Sequence, residues 1–126
     1  MQLIGDFYRD KILTRNDLVL RELTLSLDEE PKIIEHLFGW ELCANGTALD
    51  CRSEAEARYL RIFVELGWHE IAVPASDDFL KQILPDLEYL KRRADEILDE
   101  HLETVFDARI RVKVRRDVYA EIARAD

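Results

Sequence analysis

Asn45-Gly46 constrains this chain more than any other pair of residues in it. A two-residue hairpin turn needs positive φ at its central positions, and asparagine and glycine tolerate that best. The runs Trp40–Ala44 and Thr47–Cys51 flank the turn, so an antiparallel hairpin is expected. Counting outward from the turn pairs Cys43 with Ala48 and Trp40 with Cys51. Ser53-Glu54-Ala55-Glu56 follows as a capping box, in which the serine hydroxyl and the Glu56 carboxylate each take an orphan backbone N–H. Ala55, Tyr59, Ile62, Phe63 and Leu66 then share one helical face up to Gly67. Glu54 and Arg58 add an i,i+4 pair on that helix. Trp68–Val73 reads as a strand closed by Pro74. The whole is a hairpin feeding a strand–helix–strand unit.

The flanking segments are less constrained. Leu3, Ile4, Phe7, Tyr8 and Ile12 follow helical spacing from Leu3 to Leu13. Leu23, Leu25 and Leu27 alternate with polar residues, which predicts a strand within Asp17–Leu27. Asp28 can cap a short helix with Glu29 and Glu30 in its first turn and Pro31 tolerated there. Ile33, Ile34, Leu37 and Phe38 would be its buried stripe and Gly39 its end. The pattern from Asp77 to Phe106 is helical, but an interior proline costs about 3 kcal/mol. A break at Pro85 is therefore expected, with a short helix up to Leu84 and a second one after it. In the second, Leu87, Leu90, Ala94, Ile97, Leu98, Leu102 and Val105 form an apolar stripe. Ile110, Val112 and Val114 alternate with basic residues as in a strand, while Ile110, Val114, Val118 and Ile122 also fit one side of a helix; the β-branched run favors a strand to about Arg115 and then a helix capped by Asp117.

These elements predict one domain over residues 1–126 with a mixed α+β fold. A small sheet holds the hairpin and the Trp68–Val73 strand, covered by helices that include a long one in the C-terminal half. At 126 residues, 48% hydrophobic and 36% charged, the chain has the composition of a globular domain with a real core. Its net charge of −9 argues against a general nucleic-acid binder, which needs a concentrated positive footprint. No segment reads as a signal peptide or a membrane span. The two cysteines fall on opposite faces of the hairpin and cannot join within it. Free thiols fit a reducing compartment, so the expected location is cytoplasmic and away from membranes.

Strand–helix–strand units place ligands beyond the carboxyl ends of their strands, where helix N-termini attract anions. Two site chemistries follow. Arg52, Ser53 and Ser76 could hold a phosphate or carboxylate; Asp50, Asp77 and Asp78 could hold Mg²⁺ through oxygen ligands. The plainer reading makes Ser53 and Ser76 helix caps, with Asp77 and Asp78 as first-turn acids. His36, His69 and His101 have no metal-ligand spacing, and Cys43 and Cys51 form no Cys-x-x-Cys. His69-Glu70-Ile71-Ala72 lacks the lysine of a Glu-x-Lys nuclease motif. No Gly-x-Ser-x-Gly elbow or glycine-rich phosphate loop is present.

Two surface features remain. The long helix can offer a homodimer or a partner protein its Leu90, Ile97 and Leu102 stripe. The basic run Arg109, Arg111, Lys113, Arg115 and Arg116 could bind nucleic acid or an acidic partner, or simply guard an edge strand. With every strong catalytic motif missing, the leading expectation is a non-enzymatic accessory or regulatory module that acts through protein–protein interaction and needs no cofactor. The rival is a small Mg²⁺-dependent or anion-handling enzyme at the strand ends. A nucleic-acid accessory protein using the basic run is the third.

Overall fold

The computed structural model describes residues 3–23, 30–44 and 46–102, with side chains described as far as Ile97. Within them run α1 (Ile4–Phe7), β1 (Leu18–Glu22), β2 (Lys32–His36), β3 (Gly39–Ala44), β4 (Thr47–Cys51), α2 (Glu54–Glu65), β5 (Glu70–Pro74) and α3 (Asp77–Leu102). The first helix widens over Tyr8–Ile12 into a π turn, where the Leu13 N–H donates to the Tyr8 carbonyl at 3.0 Å. The strands form two antiparallel sheets, β2-β3-β4 and β1-β5, and the fold is α+β with a long helix at its C-terminal side.

The hairpin forms in the expected register, with Trp40 opposite Cys51 and Cys43 opposite Ala48, and both thiols are free. Gly46 takes φ +76°, a conformation other residues adopt only with strain. Ser53 caps α2 by accepting the Glu56 N–H at 3.1 Å. At the other end Gly67 has φ +83°. Gly67 donates back to Val64 and Trp68 to Phe63, the paired bonds of a glycine-terminated helix. The buried face of α2 is the center of the core: Tyr59, Leu60 and Phe63 are sealed from solvent. Phe63 also stacks at tilted angles with Tyr8, Tyr59 and Trp68 at centroid distances of 5.7, 5.0 and 4.9 Å.

The strand–helix–strand unit is present, but its two strands lie in different sheets. β5 pairs with β1, antiparallel, with Leu20 opposite Ala72. The Ala72 N–H donates to the Tyr8 hydroxyl at 2.9 Å, and the Ala72 carbonyl accepts the Tyr59 hydroxyl at 2.8 Å. Two phenols thus take the backbone groups that a neighboring parallel strand would have used. Burial pushes both phenols above their ordinary pKa, so both stay protonated, Tyr8 accepting and Tyr59 donating.

Three further expectations are corrected. Residues expected to form a helix after Asp28 instead form β2 and a tight turn, and the supposed buried stripe lies at the surface. Ile33 is half-buried, Ile34 is 45% exposed, and Leu37 and Phe38 are 89% and 91% exposed. Pro31 immediately precedes the strand, the β-branched pair Ile33-Ile34 suits it, and Gly39 (φ +144°) opens β3. The second correction is at Pro85, which does not break α3. It faces solvent, while Leu80, Ile83, Leu84 and Leu87 stay buried on the opposite side. Third, Arg58 pairs with Glu88 of α3 in place of Glu54. With the buried Lys91, which bonds Glu65 at 2.9 Å, it ties α2 to α3. Of the strand expected over Asp17–Leu27, Leu18–Glu22 forms β1 and Leu23 follows it; Leu25 and Leu27, with the rest of residues 24–29 and the whole segment 103–126, lie outside the described residues.

Candidate functional site

The polar residues gather in two places. The first is the junction where β4 and β5 run into α2 and α3. Glu56, in the first turn of α2, is only 4% exposed and is bracketed by two arginines. Arg21 of β1 reaches its Oε1 at 2.7 Å, and Arg52 reaches its Oε2 at 3.3 Å. Both guanidiniums are also held by backbone: Arg21 donates to the Asp50 carbonyl at 2.7 Å and Arg52 to the Pro74 carbonyl at 2.6 Å. Ser53 donates its hydroxyl to Asp77 while capping α2. Ser76 caps α3 by accepting the Phe79 N–H at 3.2 Å, and its own N–H donates to Asp17. Asp77 also meets Lys81 at 3.3 Å. The Ser53 hydroxyl first, then Lys81 and Arg52, hold the Asp77 carboxyl below the usual carboxylate range. Asp17 is lowered likewise, by Arg15 above all.

The second place is the hairpin β2–β3. Alternation puts Lys32, Ile34, His36, Glu41, Cys43, Ala48 and Asp50 on the face turned away from the core, because Leu42, Ala44 and Cys51 are buried on the other. Glu41 and Asp50 stand directly opposite each other across the strands. His36 Nε2 lies 3.2 Å from Glu41 Oε1, and one ligand atom from each of His36, Glu41 and Asp50 falls within 4.8 Å of the others. The other ring nitrogen, Nδ1, accepts the Phe38 N–H at 3.3 Å. An Nδ1 that accepts leaves the proton of a neutral imidazole on Nε2, where it donates to Glu41. A metal at Nε2 would have to displace that proton and the turn contact with it. The arrangement suits a braced turn better than a metal center. Neither thiol is primed for attack: burial pushes Cys51 up to about 11, and burial and then Glu41 raise Cys43.

The residues singled out from sequence are thus distributed as follows. Arg52, Ser53, Ser76 and Asp77 share the junction, engaged with one another or with helix ends, and Asp78 is exposed in the first turn of α3. Asp50 contributes its carbonyl there, but its carboxylate belongs to the hairpin face with His36 and Glu41. Leu90 packs against the core and Ile97 is half-buried, while the side chain of Leu102 lies outside the described residues. Arg109, Arg111, Lys113, Arg115 and Arg116 lie outside them as well. Sequence reasoning missed Arg21, His36, Glu41, Leu37 and Phe38. The signal for the last four was Pro31-x-Ile-Ile with Gly39, a strand start and a turn exit.

The described residues form an α+β fold with one ion network centered on the buried Glu56 and one open hairpin face. Comparison with protein-family models, with curated proteins and with solved structures finds no match to this chain. No helix among the described residues is long and apolar enough to cross a membrane.

Proposed function

We propose that this chain is a non-enzymatic accessory module that binds another protein, and that the β2–β3 turn is its point of contact. The observation that carries this reading is the exposure of Leu37 and Phe38, adjacent at the tip and both about nine-tenths open to solvent. A tight turn is cheaply made of glycine, asparagine or serine, so folding gains nothing from leucine and phenylalanine there. Burying the two in a partner would gain about 1.5–3 kcal/mol each, enough to anchor a complex. The turn is braced by the bond from the Phe38 N–H to His36, so little order remains to be bought on binding. Glu35, Glu41 and Asp50 stand around the tip's base, and the chain carries net charge −9. The matching surface is an apolar pocket with a basic rim. The strand-end junction supports the reading from the other side, since its serines are spent on caps and its buried carboxylate on two arginines.

A photoreactive phenylalanine analogue at position 38 should cross-link one dominant protein in cells. Purified, that protein should bind the wild-type chain and lose at least about 30-fold in affinity to the double change Leu37→Ser, Phe38→Ser, the equivalent of a 2 kcal/mol contact. The double change should leave the melting temperature within about 2 °C, because neither side chain packs in the fold. Unchanged affinity in the double variant would overturn the reading.

A further inference from the structure

We infer that the edge of β2 turned away from β3, unpaired among the described residues, pairs with β2 of a second copy of this chain, joining two three-stranded sheets into one. The argument starts from the turn. A two-residue turn closes on a hydrogen-bonded pair, here His36 with Gly39. Hydrogen-bonded and non-hydrogen-bonded pairs alternate, so His36, Ile34 and Lys32 spend their backbone groups on β3. The N–H and C=O groups of Ile33 and Glu35 therefore point to the other edge, where no strand pairs with β2 among the described residues.

One antiparallel register uses all of them. Centered on Ile34, it sets Ile33 of one copy against Glu35 of the other, and the reverse, as two hydrogen-bonded pairs. Ile34 then meets Ile34 of the second copy in the non-hydrogen-bonded pair, where side chains approach most closely. Ile34 is 45% exposed in the single chain and would be covered there. A twofold contact must be self-complementary, and the charges of this face are. Lys32 lies at one end of β2, and His36, bonded to Glu41, lies at the other. Antiparallel pairing carries the cation of each copy to the His36–Glu41 pair of its neighbor. Charges on an edge strand ordinarily discourage pairing with other chains. On β2 they exclude strangers and admit a copy. The pairing also leaves the two Leu37-Phe38 tips at opposite ends of the seam, so that a dimer presents two of them.

This inference rests on the strand edge and not on the tip, and the test separates the two. Sedimentation equilibrium of the whole chain over a wide concentration range should follow a monomer–dimer scheme. Ile34→Lys, which places like charges face to face, should weaken association at least about tenfold. In a Cys43→Ser background, Ile34→Cys should form a disulfide-linked dimer on mild oxidation, since Cα atoms in such a pair stand about 4.5 Å apart. Leu20→Cys, more open still on β1 at 68% exposed, should not. The Leu37→Ser, Phe38→Ser chain should dimerize like the wild type whether or not it has lost a partner protein. A wild-type chain that stays monomeric throughout, a dimer indifferent to Ile34→Lys, or equal cross-linking from positions 20 and 34 would each overturn the inference.

Discussion

The strand-end junction and the β2–β3 hairpin carry similar residues and treat them in opposite ways. At the junction opposite charges meet, one of them buried, and two of the contacts join elements far apart in sequence: Arg21 and Glu56 bring β1 to α2, and Ser53 and Asp77 bring α2 to α3. On the hairpin, like charges face each other as Glu41 and Asp50, and large apolar side chains stand in water. The first arrangement raises the stability of this chain. The second lowers it, because cross-strand like charges repel and exposed phenyl and isobutyl groups contribute nothing to the core. A feature that costs folding free energy without serving the fold is where contact with another molecule should be sought. A feature that fits the fold this well, however much it looks like a ligand site in the sequence, is better read as a clamp.

The largest effect that can break this comparison is at Glu56. Removing its carboxylate takes the shared partner from Arg21 and Arg52, which water still reaches, and a hydrogen bond to a charged group typically contributes about 1.5–3 kcal/mol. Glu56→Ala should therefore lower the denaturation midpoint sharply, measured by urea titration of far-UV circular dichroism. The Phe38→Ser chain in the same titration should fall within about 0.5 kcal/mol of wild type. If Glu56→Ala costs less than about 1 kcal/mol, the junction is not a clamp and its arginines are open to another role.

A smaller effect sharpens the contrast through pH. Asp77 is held below the usual carboxylate range chiefly by the Ser53 hydroxyl. Its folded pKa lies below the unfolded value of about 3.9. The stabilization is therefore fully present above that value and is lost as pH falls through the folded one. Ser53→Ala should lose about 1 kcal/mol as a missing cap at neutral pH. Its deficit relative to wild type should narrow on acidification, because the wild-type chain gives up the Ser53–Asp77 contribution there and the variant has none to lose. Denaturant midpoints of both chains between about pH 2 and 6 check this. A deficit that stays constant across the range would mean that the contact contributes nothing beyond the cap.

What could be read from sequence divides along the same line. The Asn45-Gly46 hairpin, the Ser53 cap, the α2 face and the Gly67 stop are written in residues within a turn or two of each other, and they were legible. β2 was not, because Ile33, Ile34, Leu37 and Phe38 have helical spacing and only the β-branched pair between Pro31 and Gly39 argued otherwise. Misreading that segment hid the nearness of His36 to Glu41, since a helix would have pointed His36 elsewhere. Pro85 misled in the other direction: its cost is real, but buried neighbors on the far side of α3 outweigh it. The Arg21–Glu56 pair spans 35 positions, and no local pattern announces it. The sheet partner of β5 was hidden for a related reason, because two tyrosine hydroxyls from distant helices settle where β5 can pair.

The smallest expected effect is that of divalent metal, and it bears on the hairpin face alone. His36, Glu41 and Asp50 lie close enough to suggest a coordination set. Yet His36 offers Nε2 only if it gives up donation to Glu41 and its Nδ1 gives up the Phe38 N–H. Two carboxylates would remain, one of them exposed, a weak pair for a cation that already holds its own water. A ligand that binds only the folded state raises stability by RT ln(1 + [L]/Kd), so a site filled to 100 times its Kd would add about 2.7 kcal/mol. Mg²⁺ at about 10 mM should leave the melting temperature unchanged, which places any Kd well above the millimolar range. Zn²⁺ is the more searching probe, because imidazole suits it and it competes better for the Nε2 proton. Its expected shift is also near zero. If Zn²⁺ does raise the melting temperature, and Asp50→Asn and His36→Ala each remove the rise, then the like-charge pair on the hairpin is a metal site. The cost of placing Glu41 opposite Asp50 would then be repaid by an ion and not by a protein partner.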